Sequence, residues 1–542
     1  MDLGPSSILR WLFDPQHGDR NCLIPRWLFL RALGLIYFSA FYSLLFQIRG
    51  LIGPNGILPA AEYLRAVTNS IGFARFWYAP TLLWFSAGNH MLMAICWAGL
   101  LASVLLTINI FPRGMLLICF ICFLSFVAAA SDFSGYQSDG MLLEAGFISL
   151  FLAPPGFRPG LAPNSPSIRA SIFLLLWEWF RIYFESGIAK IASGDPEWRH
   201  FTAMDEYYQN GPLPTWVGWY VQHLPHWFHA ATAFGTLALE LALVWMLFSP
   251  RRFRIICFFI VTPWQIGVIL TANYTFLNYL VLALGIFLLD DRFLAPFIAR
   301  FVPQSWRAQL SQSTQTVAAA PTAPETVAPN WQQTWANHLA AVKLALTSVV
   351  FIWISYSSTV LLLLMIWPAA PFPYAPVAAL QPFRVADRYG LFAVMTRGRY
   401  EIEFQGSNDG ENWIAYPFRH KPQNPYEAPR IYAPYQPRFD WNLWFASLGH
   451  WRSNPIVPRA EERLLEGSPD VLALFYGNPF SQPPRQIRVL LWQYWFTPMQ
   501  EKRAQGLWWR RQLLGNYAPT LARDTNGRIV AIEWPPELPP RQ

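Results

Sequence analysis

Apolar positions fall along this chain in two rhythms. As far as residue 367 they come in long runs, close to the roughly 20 residues that a helix needs to cross a bilayer. Beyond about residue 380 they alternate in short stretches broken by Pro, Gly and Asn. The long runs predict helices at 27–47, 82–108, 114–130, 139–153, 170–190, 229–248, 254–271, 274–290 and 344–367, about nine candidate spans. Residues 303–333, rich in Gln, Thr, Ala and Pro, show no apolar period and read as a disordered linker. The first apolar run is too long for a signal peptide, and the residues before it, with Asp14, His17, Asp19 and Arg20, lack that pattern, so it is expected to stay attached as an anchor.

In the last third, Tyr400, Ile402 and Phe404 alternate with Glu401, Glu403 and Gln405, the period of a strand with one buried face. Asn408-Asp409-Gly410 is a sharp turn signal, and WIAYPF resumes an extended chain, which predicts a hairpin. A further strand is expected at 487–496, with short helices at 459–466 and 470–476. The expected fold is thus a polytopic α-helical membrane bundle followed by a β-rich, sandwich-like C-terminal domain. Its units are a multi-span domain at 1–300, a linker at 301–343, a final span at 344–367 and an extracytoplasmic domain at 368–542.

Composition sharpens the membrane reading. Of 542 residues, 54% are hydrophobic, 17% aromatic and only 13% charged, against roughly 25% charged in soluble domains. The net charge of +8 comes from Arg scattered beside apolar runs, without a solvated basic face, so nucleic acid is not expected as a partner. With the N-terminus inside, Arg113, Arg158, Arg169 and the trio Arg251, Arg252 and Arg254 fall on the cytoplasmic side. The opposite loops hold Asp132, Asp195, Glu197, Asp205 and Glu206 against Arg199. Arg49, Arg65 and Arg75 in the first outer loop run against that trend. An odd number of spans then places residues 368–542 outside, in the periplasm or an organelle lumen.

All five cysteines lie at or before residue 257, which excludes a disulfide-stapled outer domain. Cys119 and Cys122 form a C-x-x-C inside an apolar run and read as buried hydrophobes rather than a redox pair.

Ionisable groups inside hydrocarbon cost several kcal/mol unless paired or wetted, so they should face the bundle interior. Glu178, Arg181 and Glu185 share one helical stripe and are expected to pair mutually; Asp139, Glu144 and Glu240 are further interior acids, and Lys190 ends its helix. Two readings of this intramembrane cluster stay open: an ion-pair network that fixes helix register, or a polar pocket for a lipid or small ligand with acid/base potential. His223, His226 and His229 do not share a helix face and are interrupted by Pro225, so they are read as an interfacial aromatic segment and no metal is expected. Trp441, Trp444, Phe445, Trp508 and Trp509 are either core or an exposed platform for a partner.

The stretches GYQSDGMLLEAGFISLFLAP, FESGIAKIASGDPEWR, GPLPTWVGWYVQHLPHWFH and NYTFLNYL, followed by RYGLFAVMTRGRYEIEFQGSNDGENW, RFDWNLWFASLG and GNPFSQPPRQIRVLLWQYWFT, resemble the lipase maturation factor family in sequence and order. The resemblance covers nearly the whole chain. It implies a membrane protein whose non-cytoplasmic C-terminal region engages immature secreted lipases and assists their folding, a chaperone role without catalytic residues or cofactors. In animals such factors sit in the endoplasmic reticulum membrane; the Arg-rich, Lys-poor composition fits a bacterial relative in the inner membrane with its head in the periplasm. The outer region departs from one inference drawn for such factors: without cysteines it has no redox chemistry of its own. A narrower resemblance, YFESGIAK, is to vitamin K-dependent carboxylase-like membrane proteins and implies an integral membrane enzyme with Lys190 as base and Glu178 and Glu185 tuning it. Transport is disfavoured because no matched pair of broken spans is present. Neither G-x-S-x-G, H-E-x-x-H nor a Walker A loop occurs.

Overall fold

The computed structural model describes residues 5–14, 17–298, 331–537 and 541. Helices occupy every stretch where the apolar runs predict them: α1 (Leu23–Leu45), α2 (Asn89–Thr107), α3 (Pro112–Val127), α4 (Gln137–Leu152) and α5 (Arg169–Ala192). After a short helix, α6 (Trp216–Gln222), come α7 (His226–Leu241), α8 (Arg251–Thr271), α9 (Leu277–Gly285) and the long α10 (Trp331–Ile366). Five helices are long and apolar enough to cross a membrane by themselves: Leu23–Leu45, Asn89–Thr107, His226–Phe248, Arg251–Thr271 and His338–Ile366. The count of nine therefore does not follow from length and apolarity. Pro112–Val127 and Leu277–Leu288 are apolar but short, and α4 and α5 carry the interior charges. Of the expected linker at 301–343, residues up to 330 lie outside the described residues, and from Trp331 the chain is helical.

Loops alternate between two ends of the bundle. At one end the loops gather on each other: Asp19 N–H donates to the Ser167 carbonyl at 2.8 Å, and Phe111 N–H to that of Phe157 at 2.7 Å. There the Asp291 carboxylate caps α1, accepting from Leu23 N–H at 2.9 Å and Ile24 N–H at 2.7 Å, which satisfies amides that a helix start leaves open. At the other end every loop touches the C-terminal region. Arg463 donates to the Gly56 carbonyl, Arg438 to that of Phe133, Trp219 to that of Trp508, and Asn273 to that of Arg430. The first loop on this side explains its basic residues. It forms an amphipathic helix, Ala60–Ile71, next to exposed Phe73, Phe76, Trp77 and Tyr78, and Arg75 lies 4.9 Å over the Trp84 ring, an arrangement suited to a membrane interface.

The C-terminal region is one antiparallel sheet in the order β2-β1-β3-β4-β5, with β1 at Arg399–Ser407, β2 at Ile414–Ala415, β3 at Gln486–Phe496, β4 at Trp509–Arg523 and β5 at Ile529–Glu533. The expected hairpin is present, pairing Gln405 with Ala415 across the turn that Asp409 closes by accepting from Glu411 and Asn412 amides. Ile402 stands opposite Leu491 and Phe404 opposite Val489 in the central pair. The sandwich expectation is corrected: the described residues hold no second sheet, and the apolar face is covered by α11 (Arg438–Leu448) and α12 (Ile456–Glu466) through Phe439, Leu443, Ala460 and Leu464. The expected helix at 470–476 is shorter, Pro469–Leu472. Nor is the polar face of β1 open to water. Lys421 donates to the Ile402 carbonyl at 2.9 Å and sits 2.8 Å from Glu401, and its loop lines a half-open cavity of about 900 Å³. One continuous apolar core runs from the helices into this sheet, joining Phe41, Leu51 and Phe123 to Phe439, Leu474 and Phe404.

Candidate functional site

The interior charges converge where the head enters the bundle. Past α10 the chain turns back, and residues 384–396 lie against α4 and α5. Gly140 on α4 permits that approach, since a Cβ there would lie 2.3 Å from Asp387 Oδ2. Arg181 and Glu144 form a fully buried ion pair, and Arg181 Nη1 also donates to the Asp387 carbonyl at 2.7 Å and lies 3.9 Å from Glu185. Glu144 Oε2 accepts from the Tyr389 hydroxyl at 2.7 Å and from Asp387 N–H at 3.1 Å; Glu185 Oε2 accepts from Tyr389 N–H at 2.6 Å. Glu144, Arg181 and Glu185 thus each meet a partner from the chain 200 residues or more downstream.

Asp139 follows the same rule. Arg438, the first residue of α11, grips it with both guanidinium nitrogens at 2.7 and 2.8 Å while donating to the Phe133 carbonyl at 2.7 Å. The guanidinium carbon is 4.7 Å from the Phe126 ring centroid and 5.4 Å from that of Tyr136, so the cation is enclosed by aromatic faces. Further along, Lys190 Nζ lies 2.9 Å from both oxygens of Glu240 and 2.9 Å from the Leu391 carbonyl, and Asp195 accepts from Met395 N–H at 2.6 Å.

Mutual pairing on the α5 stripe is therefore realised only for Arg181 with Glu185. Glu178 is fully buried, and neither of its oxygens has a hydrogen-bond partner among the described residues. It lies on the same helix face as expected, but Arg181 is drawn toward Glu144 on the neighbouring helix. Sequence reasoning missed Tyr389, Asp387 and Arg438 as the partners; for the first two, the polar-aromatic cluster RVADRYG at 384–390 was the available signal.

Of the two readings of the aromatic cluster, core applies to three of its members. Trp441, Trp444 and Trp509 are buried; Trp441 packs near Tyr136 and Tyr274 and Trp444 donates to the Asn210 carbonyl at 3.1 Å, so these two seal the head onto the bundle's loops. Trp508 is half-buried beneath Lys502, 4.1 Å from the ring centroid, and packs on Trp219 of α6. Phe445 is exposed. The three histidines do not converge: His223 contacts the carbonyls of Trp219 and Thr497, His226 lies 3.0 Å from Asp205, and His229 is buried against Tyr208. Among the described residues no group of His, Cys, Asp or Glu is arranged to hold a metal. The five cysteines are buried and free, Cys119 and Cys122 included.

Two titratable groups in the head oppose each other. His420 packs against the rings of Tyr432 and Tyr435, and burial beside Arg419 and Arg430 pushes its pKa down to about 4. Asp440 accepts from His420 and Lys421 amides at 3.3 Å, yet its burial outweighs nearby Lys421 and raises it to about 6. The folded state holds His420 neutral where an unfolded histidine, near 6.5, takes up a proton, so acidification from pH 7 to 5 removes stability through this group. Over the same window folded Asp440 takes up a proton that an unfolded aspartate does not, so acidification adds stability. Each effect is on the order of 1–2 kcal/mol, and the two nearly cancel. We expect Asp440→Asn to make thermal stability fall on acidification from pH 7 to 5, and His420→Phe to make it rise, read as opposite slopes of melting temperature against pH. Parallel slopes for the two variants would refute the assignment.

Comparison with known proteins agrees with this architecture. A family model for the lipase maturation factor transmembrane domain matches residues 24–296, and one for the lipase maturation factor C-terminal domain matches residues 385–519. Among curated proteins, lipase maturation factor 2 of Gallus gallus is 31% identical, covering 92% of this chain and 81% of the relative. Lipase maturation factor 2 of Homo sapiens is 30% identical over 92% of this chain and 83% of the relative, and lipase maturation factor 1 of Mus musculus is 30% identical over 96% and 91%. No solved structure matches. With both halves of the fold matched in order, and with the Arg438–Asp139 ion pair that joins them falling inside the two matched regions, the chain belongs to the lipase maturation factor family.

Proposed function

We propose that this protein assists the maturation of secreted lipases as a membrane-anchored, non-enzymatic folding factor, with its sheet region held on the non-cytoplasmic side. The observation that carries the reading is the lock between head and bundle. Arg181, Glu144, Asp139 and Arg438 are consumed in buried contacts between the two, as befits a scaffold presenting a fixed surface. The sidedness rests on the loops: Arg113, Arg158, Arg169 and the Arg251–Arg254 cluster all lie at the end opposite the head, which the excess of basic residues in cytoplasmic loops makes the cytoplasmic end. The alternation of the loops favours nine passes, the short and charged helices sheltered by their neighbours. The units are then the helical part up to residue 300, the segment to 343, the last helix and the head from 368. Client contact falls to apolar side chains that the lock leaves free: Phe445, Tyr476 and Trp534 are 47%, 74% and 62% exposed.

The test uses the full chain, because deleting the head would strand Asp139 and Glu144. A triple variant, Phe445→Ser with Tyr476→Ser and Trp534→Ser, is produced with a secreted lipase in a host lacking its own factor. Lipase protein should be secreted in unchanged amount while its specific activity falls about tenfold, since burial of client apolar surface is what the variant removes. Unchanged specific activity would refute the surface. The enzyme reading finds no support in the contacts of Lys190, whose ammonium group already has three acceptors at 2.9 Å around it. Lys190→Met alone should lower folded yield, and adding Glu240→Leu should restore both yield and lipase maturation, because a matched apolar pair can replace a buried ion pair. An active-site lysine would leave the double variant folded and inactive.

A further inference from the structure

Behind the Lys190–Glu240 pair lies a cavity of about 610 Å³, within the size range of small-molecule sites. Its walls are Ile182 and Tyr183 of α5, Leu239 of α7, Val268 of α8, Val281 of α9 and Phe392 of the head segment. Several of the polar side chains along it already have partners within the protein. Lys190 has its three acceptors, the Tyr183 hydroxyl donates to Gln265 Oε1 at 3.0 Å, and the Thr232 and Thr236 hydroxyls each donate to a carbonyl of their own helix at 2.8 Å. With these groups already satisfied, the space offers little to an ion or a sugar and suits hydrocarbon.

The mouth shows where the hydrocarbon comes from. α7 and α8 touch at Gly235, where an added Cβ would lie 3.3 Å from the Trp264 indole. Beside that contact Gly267 lines the cavity with nothing within 4 Å of an added Cβ. Ile260 borders the cavity and is exposed, as are Phe234, Ile266 and Leu270 on the same two helices, which are long and apolar enough to sit in a bilayer, so the medium outside them is acyl chain. We propose that the cavity takes one acyl chain of a membrane glycerolipid, entering between α7 and α8 and packing against Leu391 and Phe392 of the segment that tethers the head.

The test is photolabelling of the purified full-length protein with a phosphatidylethanolamine that carries a diazirine on one acyl chain. Adducts should concentrate on the cavity-facing residues Thr236, Leu239 and Val268, and excess unlabelled phosphatidylethanolamine should displace them. Gly267→Leu, which plugs the mouth without a clash, should cut them about tenfold, whereas Ile266→Leu on the outer face should not. Thr236→Phe narrows the same space from α7 and should act like Gly267→Leu if that variant fails to fold. Labelling spread evenly over Phe259, Ile266 and Leu270 and insensitive to both plugs would overturn the proposal. So would displacement by palmitate as efficient as by the phospholipid, which would make the occupant a free fatty acid.

Discussion

Replacing Arg438 with Met should destabilise the folded protein by about 3–5 kcal/mol, because it removes one member of a buried ion pair and leaves the other without compensation. Asp139 is fully buried and receives both of its strong hydrogen bonds from that guanidinium. Once Arg438 is gone, Asp139 loses its hydrogen-bonded cation and keeps only the unbonded charge of Arg384 in its surroundings, and the Phe133 carbonyl loses its donor as well. The expected result is loss of the monodisperse peak in detergent and rapid proteolysis near the start of α11, with the helices themselves less affected. Arg438→Met combined with Asp139→Leu should recover much of the loss, since apolar groups of similar size can replace a buried pair. Arg438→Lys should fall between, keeping the charge but not the two-pronged grip. A single Arg438→Met variant as stable as the parent chain would show that the pair does not hold the head.

Sequence patterning resolves the membrane half well because lipid leaves the chain few choices: every backbone polar group must be satisfied internally, so apolar runs become helices. What patterning does not tell is which of these helices is shielded by the others. α4 and α5 sit inside and tolerate Asp139, Glu144, Glu178, Arg181 and Glu185, which a count of lipid-exposed spans would not include. In the head, alternation correctly places Ile402 and Phe404 on one face, but what covers that face is set by long-range packing, and α11 and α12 do the work a second sheet would have done. α11 has no amphipathic signature to read. Phe439, Trp441, Leu443, Trp444 and Ala446 point in most directions around it because it is wedged between sheet and bundle, so its tryptophans look like a surface cluster in sequence and are buried in space. The acids of the bundle were legible for the same reason their partners were not. A charge inside an apolar run stands out locally, whereas Tyr389 and Arg438 lie 245 and 299 residues from the acids they meet.

A second large effect is expected at Arg181. It is buried with Glu144 and Glu185 around it and the Asp387 carbonyl at 2.7 Å, so Arg181→Met leaves two carboxylates facing each other's side of the tether with no cation between them. The loss should again be about 3–5 kcal/mol, larger than for Tyr389→Phe, which removes one hydrogen bond to a charged group and costs about 1.5–3 kcal/mol. The more informative measurement is the combination with Arg438→Met. Asp139 and Glu144 stand on the same helix, and both are held by residues of the head region. If the tether at Tyr389 and the clamp at Arg438 are two parts of one docking event, losing either already releases the head, and the double variant should be little worse than the worse single. Two independent contacts would instead add. Protease cleavage rates in the segment 368–384, measured for both single variants and the double, separate the cases: a sub-additive double marks the head and bundle as one cooperative unit, while additive rates would mean that the Arg181 network supports only the helices.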